Sequence, residues 1–320
     1  MNQTTIDFAF VILHYVVFDM TIECVDNLLQ RFGEDNILIV IVDNSSSNGS
    51  GKKLKDRYQN NSKVTVILHN KNDGFARGNN IGFYYLKNNY NVDFMIVMNN
   101  DVIIRQNDFL EKIEDIYSHH QFAVLGPDIY APNLKIHQNP LEYNLISTEG
   151  CEYWIKKYKQ LLRKDSFNYY KLLFLHYAVY SWAKPLAKIL MPNKYQSRIA
   201  KKNFEAQIEV AINDDNFEQN EKEDVTLQGS CLIFSKEFIQ KRNYAFYPET
   251  FMYYEEHILH LQCHYEGLKM VYSPAIAVNH LCGTTTDKIY NQRSKNRLYW
   301  RQNINSLKIY IKLYKGYYKK

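Results

Sequence analysis

The sequence predicts an α/β protein with a mostly parallel sheet and helices on both faces. Three observations carry that reading. Apolar runs of strand length alternate with helical patterns up to residue 130, the order that brings strands side by side through helical crossovers. The runs end in clusters of Asn, Asp, Ser and Gly, which are turn formers. The composition is globular, with 320 residues, 46% hydrophobic and 23% charged, and a mean hydropathy of −0.44. That is enough chain for one large domain or two small ones.

The elements follow in order. Phe8 to Leu13 is an apolar run and predicts the first strand, and Thr21 to Phe32 has helical spacing. Ile37 to Val42 predicts a second strand, the cluster Asn44 to Gly51 a turn, and Lys52 to Gln59 a helix. Val64 to Leu68 is the third strand, Ala76 to Lys87 the next helix, and Phe94 to Met98 the fourth strand. Asn107 to Ser118 reads as a helix and Ala123 to Leu125 as a short strand. From Leu134 to about Asp224 no clear strand is expected. Within it, Tyr153 to Tyr195 is dense in Lys, Tyr, Leu and Trp and predicts amphipathic helices with basic and aromatic faces, and Asp214 to Asp224 a solvated acidic loop. Strand signal returns at Cys231 to Phe234 and at Met270 to Tyr272, around a helix from Tyr254 to Tyr265 that Gly267 should cap. The end, Lys308 to Lys320, interleaves tyrosines with five lysines.

Composition also excludes. No apolar run reaches the ~18 residues that span a bilayer, and Met1 to Asp7 is too polar and acidic for a secretory signal. The five cysteines are an odd number without paired spacing and read as reduced thiols in a cytoplasmic protein. A net charge of +5 is too modest, and its lysines too scattered, for a nucleic-acid binder.

Several segments carry candidate chemistry. Asp43, in Val42-Asp43-Asn44-Ser45-Ser46, ends the second strand, and a carboxylate there can accept the N3–H of a pyrimidine base. The segment Asn70 to Asn80 follows the third strand and opens a helix. Gly74 and Gly78 permit close backbone approach, Arg77 can reach a phosphate, and a helix N-terminus favours anions. Its glycine spacing is neither the dinucleotide fingerprint nor a P-loop. Asn99-Asn100-Asp101 ends the fourth strand, where open sheets place their ligands, and Asp101 can hold a divalent cation and through it a diphosphate. Glu255 and Glu256 stand together at a helix start, where one can act as a general base. His257, His260 and His264 read as packing or surface histidines, because the glutamate of a metalloprotease pattern is missing. Each segment alone is also what an ordinary turn or helix cap looks like; their order distinguishes them.

That order runs from a strand-end Asp through Gly74-Phe75-Ala76-Arg77-Gly78-Asn79-Asn80, Asn99-Asn100-Asp101, Gln228-Gly229-Ser230-Cys231 and Tyr254-Glu255-Glu256 to Val278-Asn279-His280. It resembles glycosyltransferase family 2 with the GT-A fold, in the branch that includes bacterial rhamnosyltransferase-like enzymes. The resemblance covers about residues 5 to 130 and 225 to 300. It implies a Rossmann-like GT-A fold plus a helical insertion and a helical C-terminal tail. Tyr15 and Asp43 would line the nucleobase pocket. Asn72, Gly74, Arg77, Asn79 and Asn100 would line the ribose and diphosphate, with Arg297, and Arg293 near it, in a closing segment. Asp101 would be the metal carboxylate, His280 its partner, and Mn2+ or Mg2+ the cofactor. Glu256 would be the base and Glu255 its neighbour. Asn99 replaces the first Asp of the family pattern, Glu256 replaces an Asp, and Ile258 stands where relatives carry another Asp.

The implied organisation is one catalytic domain over residues 1–300 and a basic-aromatic tail over 301–320. Within the domain, 1–130 binds the nucleotide sugar, 134–224 is a mostly helical insertion, and 225–300 is the acceptor and catalytic half. The implied function is inverting transfer from a UDP- or dTDP-sugar to a glycan acceptor, expected to be lipid-linked, in capsule, O-antigen or cell-wall polysaccharide synthesis. The expected setting is the cytoplasm, at the inner face of the plasma membrane with peripheral contact, and a homodimer is compatible with it. A nucleotidyltransferase and a non-catalytic glycosyltransferase-like subunit share the fold and remain open at this point.

Overall fold

The computed structural model describes residues 3–182, 217–282 and 292–318. The strands are β1 (Thr4–His14), β2 (Ile37–Asp43), β3 (Val64–Leu68), β4 (Tyr90–Asn99), β5 (Val102–Ile103), β6 (Val124–Ala131), β7 (Ile136–His137), β8 (Lys222–Glu223), β9 (Cys231–Ser235) and β10 (Met270–His280). The helices described are α1 (Phe18–Phe32), α2 (Ser50–Tyr58), α3 (Gly74–Asn89), α4 (Phe109–His120), α5 (Thr148–Trp182), α6 (Lys236–Lys241), α7 (Glu255–Glu266) and α8 (Gln292–Tyr317).

One sheet holds every strand among the described residues, in the order β3-β2-β1-β4-β9-β6-β10-β5, with β7 on β6 and β8 on β10. The β3-β2-β1-β4 half is parallel, as expected from its alternation with helices. β9 then runs antiparallel between β4 and β6, and β6 and β10 pair in parallel beyond it. β2 is buried along its whole length, which its β-branched Ile and Val residues suit. In β1 the side chains alternate. Phe8, Phe10 and Ile12 join α1, α2 and α4 in one core, while Ala9 and Val11 join α3, α6 and α7 in another. Helices therefore cover both faces.

Several predicted bounds change. The strand expected at Ala123–Leu125 extends to Ala131, and the one at Met270–Tyr272 runs on to His280. Both lie against each other in parallel, and tertiary pairing carries them through Pro127 and Pro274, which end the local signal. The stretch from Leu134 to Asp224 does hold two short strands, β7 and β8, contrary to expectation. Each has two residues, too few for an apolar pattern, and each exists only through its partner strand. Gly267 caps α7 as predicted, in the left-handed conformation with its N–H on the Cys263 and His264 carbonyls.

A third core joins α5, α7 and α8 through Cys151, Ile155, Tyr158, Ile258, Leu261, Ile304, Leu307 and Tyr310. The residue that replaces an Asp of the family pattern, Ile258, is thus fully buried. Tyr310 is buried too, Tyr314 packs against this core, and Tyr317 donates to Glu266. Much of the tail's aromatic content is therefore spent on packing. Residues 183–195 of the basic-aromatic stretch, 214–216 of the acidic loop and 319–320 of the tail lie outside the described residues. In the described part of that loop, His120 contacts Glu221 and Glu223, and His260 and His264 contact Asp224. His260 is buried and the His264 side chain is 41% exposed, the packing and surface positions expected of them.

Candidate active site

Strand register brings the motifs to one edge of the sheet. His14 pairs with Asp43, Leu13 with Asn99, and Asp43 with Leu68, so β1, β2, β3 and β4 all end together. β9 runs the other way and begins beside Met98, which delivers Gln228-Gly229-Ser230 to the same edge. The Asn99 N–H donates to the Ser230 carbonyl at 2.8 Å. β10 ends on β5, with His280 opposite Val102.

The Asp43 carboxylate is nearly buried and accepts the Ser46 N–H at 3.2 Å. Next to it, Asn44 ties the nucleotide-side loop together. Its amide donates to Asn72 Oδ1 at 3.1 Å and to the Gly74 carbonyl at 3.0 Å, and its oxygen accepts the Asp73 N–H at 3.0 Å. Gly74 has φ +80°, and a Cβ there would lie 2.1 Å from the Phe251 carbonyl oxygen, so only glycine fits. The Phe75 N–H donates to that same carbonyl at 2.7 Å. Arg77 is exposed, with Nε on the Pro248 carbonyl at 2.7 Å, and Asn79 is buried against Phe75. These contacts join the start of α3 to the loop before Glu255.

Beneath this edge runs a buried polar chain. His14 is fully buried, with Nδ1 2.7 Å from Thr21 Oγ1 and Nε2 2.7 Å from Ser50 Oγ. Thr21 donates its one proton to the Val17 carbonyl and accepts from Asn100 Nδ2 at 2.8 Å. His14 Nδ1 therefore carries a proton toward Thr21, and Nε2 accepts from Ser50. Burial lowers the His14 pKa to about 4, against the opposing pull of Asp43, so the ring is neutral. The chain fixes Asn100 beside Asp101.

Asp101 and His280 meet, with Oδ1 3.3 Å from Nε2. That Asp101 oxygen is buried and has no hydrogen-bond donor. The other His280 nitrogen, Nδ1, faces Gln138 Oε1 at 2.7 Å, as the outer partner of a metal-binding imidazole does. Burial works against the charged ring, but Asp101 and Cys282 outweigh it and hold the His280 pKa up to about 9. The pair fits a divalent ion completed by other oxygen donors; among the described residues no third His, Cys, Asp or Glu joins it.

The two glutamates differ in setting. Glu255 is buried, and its Oε1 has no hydrogen-bond partner. Glu256 is half-buried and accepts the backbone N–H of Gly229. A Cβ on Gly229 would stand 2.6 Å from Glu256 Oε1, so glycine allows the close approach. Burial, with the Glu256 charge beside it, pushes the Glu255 pKa up to about 8, and burial also raises that of Glu256. Tyr253 and Tyr254, just before them, have φ of 73° and 66°, a left-handed backbone that costs about 1–3 kcal/mol per residue and collects at functional sites.

The Glu255 shift has a consequence for stability. The folded pKa lies above the ordinary carboxylate value of 4.5. Its contribution is fully present below that pH and is lost as pH rises through about 8, because the folded chain then holds a buried charge. Glu255→Gln should flatten the decline of thermal stability between those limits. Equal pH slopes for both proteins would refute this origin.

Tyr15 lines a cleft with Phe18, Asn48 and Lys53 near the end of β1. Arg293 and Arg297 are engaged elsewhere, by Asp165 of α5, with Arg297 also on Ser166. Of the residues named from sequence, Asp43, Asn72 and Gly74 thus form one group, Asp101, Asn100 and His280 a second, and Glu255 and Glu256 a third. Asn44, His14, Gly229 and Gln138 were not singled out for a role. Asn44 and Gly229 lie inside motifs that the sequence marks, but their partners come from other segments. Gln138 lies outside every motif, and no local signal could have found it.

This sheet edge gathers the strand-end carboxylate, the facing histidine and the helix-borne glutamates that the resemblance to the GT-A fold implies. The description "Glycosyl transferase family 2" matches residues 10–180, more than half of the chain, and the chain belongs to that family. It is 27% identical over 142 residues to the dTDP-rhamnosyl transferase RfbF of Shigella flexneri, a match over 42% of this chain and 46% of that protein. The chain therefore spans less than half the length of that curated relative. Among solved structures it is similar to GalNAc-T7 with UDP, GalNAc and Mn2+, with a TM-score of 0.52, 12% identity and coverage of 86% of this chain and 44% of that one. It is also similar to the mannosyltransferase PcManGT of Pyrobaculum calidifontis in complex with GDP-Man and Mn2+. That TM-score is 0.50, at 8% identity, covering 99% of this chain and 74% of that one. These two likenesses establish the GT-A fold.

Proposed function

We propose that the protein is an inverting glycosyltransferase that moves a sugar from a UDP- or dTDP-linked donor to a glycan acceptor. The observation that carries this is the convergence of the Asp101–His280 pair, the Asn44-organised loop and Glu256 on one sheet edge. Asp43 and Tyr15 receive the base. Asn72, Gly74, Arg77, Asn79 and Asn100 face the ribose and diphosphate. Arg297 joins them only when its pair with Asp165 breaks. Asp101 and His280 would hold Mn2+ or Mg2+, which when bound would supply neutralisation of charge on the leaving nucleoside diphosphate.

Glu256 takes the proton of the acceptor hydroxyl as that oxygen attacks the anomeric carbon. The bond to the nucleoside diphosphate breaks on the opposite side, so the configuration inverts without a covalent intermediate. Glu255, neutral through burial, keeps a second negative charge away from the base. The catalytic domain is read as residues 1–300, with the nucleotide-sugar half at 1–130, the insertion at 134–224, the acceptor half at 225–300 and the tail at 301–320.

The acceptor is read as lipid-linked, in bacterial surface polysaccharide synthesis. No helix among the described residues is long and apolar enough to cross a membrane. Lys156, Lys157, Lys159, Arg163 and Lys164 of α5, and Lys308, Lys312 and Lys315 of α8, are exposed. Near an anionic leaflet such residues contribute ~1 kcal/mol each. Cosedimentation with anionic but not neutral vesicles is expected, and binding to neither at low salt removes the membrane contact. The donor reading is tested by thermal shift against UDP-, dTDP- and GDP-sugars with Mn2+. A cognate donor at ~100 times its Kd should add ~2.7 kcal/mol. A flat response to all three classes would overturn the proposal.

A further inference from the structure

The loop that leads into Glu255 and Glu256 opens onto a row of aromatic rings that the donor site leaves unused. Tyr253 lies edge-on to Tyr299 of α8, ring centroids 4.9 Å apart. Tyr299 meets Tyr158 of α5 at 5.8 Å, Tyr158 stacks on Trp154 at 5.7 Å, and Trp154 meets Tyr153 at 5.6 Å. Packing explains part of the row, since Tyr158 is buried in the third core. It does not explain Tyr299, Trp154 and Tyr153, which keep 38%, 39% and 60% of their surface exposed. Large aromatics left in water beside a reaction centre are sites for ligands with one apolar face and a polar rim. A pyranose ring is such a ligand, because its axial C–H bonds form an apolar face and its hydroxyls point outward.

We infer that Tyr253, Tyr299, Trp154 and Tyr153, braced from below by the buried Tyr158, form a track that holds the saccharide chain of the acceptor and leads its terminal hydroxyl to Glu256. This rests on the proposed transferase function and specifies its acceptor subsite. Two features make a saccharide the occupant. The track is continuous with the loop of the two glutamates, and Ser306 of α8 donates to the Met252 carbonyl at 3.3 Å, which ties the track to that loop. Its far end reaches the lysine-rich part of α5, where Lys157 lies 4.4 Å above the Trp154 ring. A lipid-linked glycan would therefore have its sugars on the rings and its phosphate end by the lysines.

The test uses the full chain on a printed array of bacterial surface oligosaccharides, together with a thermal shift by UDP and dTDP with Mn2+ on the same proteins. Trp154→Ala and Tyr299→Ala should each weaken retention of the glycans that the unaltered chain binds by about tenfold. Trp154→Phe, which keeps a ring, should retain most of it. The nucleotide response should be equal in the unaltered chain and in every variant. Tyr153→Ala, at the most exposed position, provides a variant with little effect on folding and should also weaken retention. The inference is overturned if the unaltered chain answers to nucleotide but retains no glycan, or if the Ala variants retain glycans unchanged. It is equally overturned if anionic vesicles alone, and no glycan, engage Trp154. A chain that binds no nucleotide defeats the donor reading instead, and the glycan result then stands separately.

Discussion

Asp101→Ala is expected to abolish sugar transfer and metal-dependent nucleotide binding while leaving the fold intact. The carboxylate sits at the carboxyl edge of the sheet, with a buried oxygen that no donor satisfies and His280 3.3 Å away. Removing it takes the anionic member from a pair that has no third ligand among the described residues. The leaving diphosphate then loses charge neutralisation worth several kcal/mol, which is ~10³-fold or more in rate. The fold should survive because Asp101 follows β4 and its backbone carbonyl still accepts the Leu281 N–H at 2.9 Å. Full activity of the variant, or of the unaltered protein in EDTA, would rule this role out.

Glu256→Gln should lower turnover by ~10²–10⁴-fold, the usual worth of a general base, with little change in donor affinity. The amide keeps the shape and the contact with Gly229 but cannot take a proton. A base works in its ionised form, so the rate of the unaltered enzyme should fall as pH drops through the Glu256 pKa, which burial raises above the ordinary carboxylate range. The variant should lack that acid limb. Gly229→Ala gives a second route to the same group, since its Cβ would force the carboxylate away from its position 2.6 Å distant. It should lower turnover and leave nucleotide binding alone. If Glu255→Gln suppresses turnover and Glu256→Gln does not, the two glutamates exchange roles.

The parallel half of the sheet was legible because its signals are local. Ile37–Asp43 is an apolar run buried on both faces, and Val64–Leu68 has the bounds its sequence predicts. The strand-end motifs were legible for the same reason. Turn residues at the end of an apolar run fall on the carboxyl edge of a parallel sheet whatever lies elsewhere. The antiparallel direction of β9 was not legible, since the four apolar residues Cys231 to Phe234 read the same in either direction. Nor was the full length of β10, which continues past Pro274 only because β6 lies beside it.

The sequence by itself thus determined the α/β class, the family and the set of residues that carry candidate chemistry. Only the tertiary structure decided how they are used. Glu255 and Glu256 are adjacent and chemically identical, yet one is buried with an unpartnered oxygen and the other meets Gly229, a residue brought in by β9. Arg297 bears the same charge wherever it lies, but α5 brings Asp165 to it. His280, already a candidate from its motif, reaches Asp101 because β5 and β10 set the two together, with Gln138 against the other ring nitrogen. Residue type fixes what a group can do; burial and partners from distant segments, which no local pattern encodes, fix what it does.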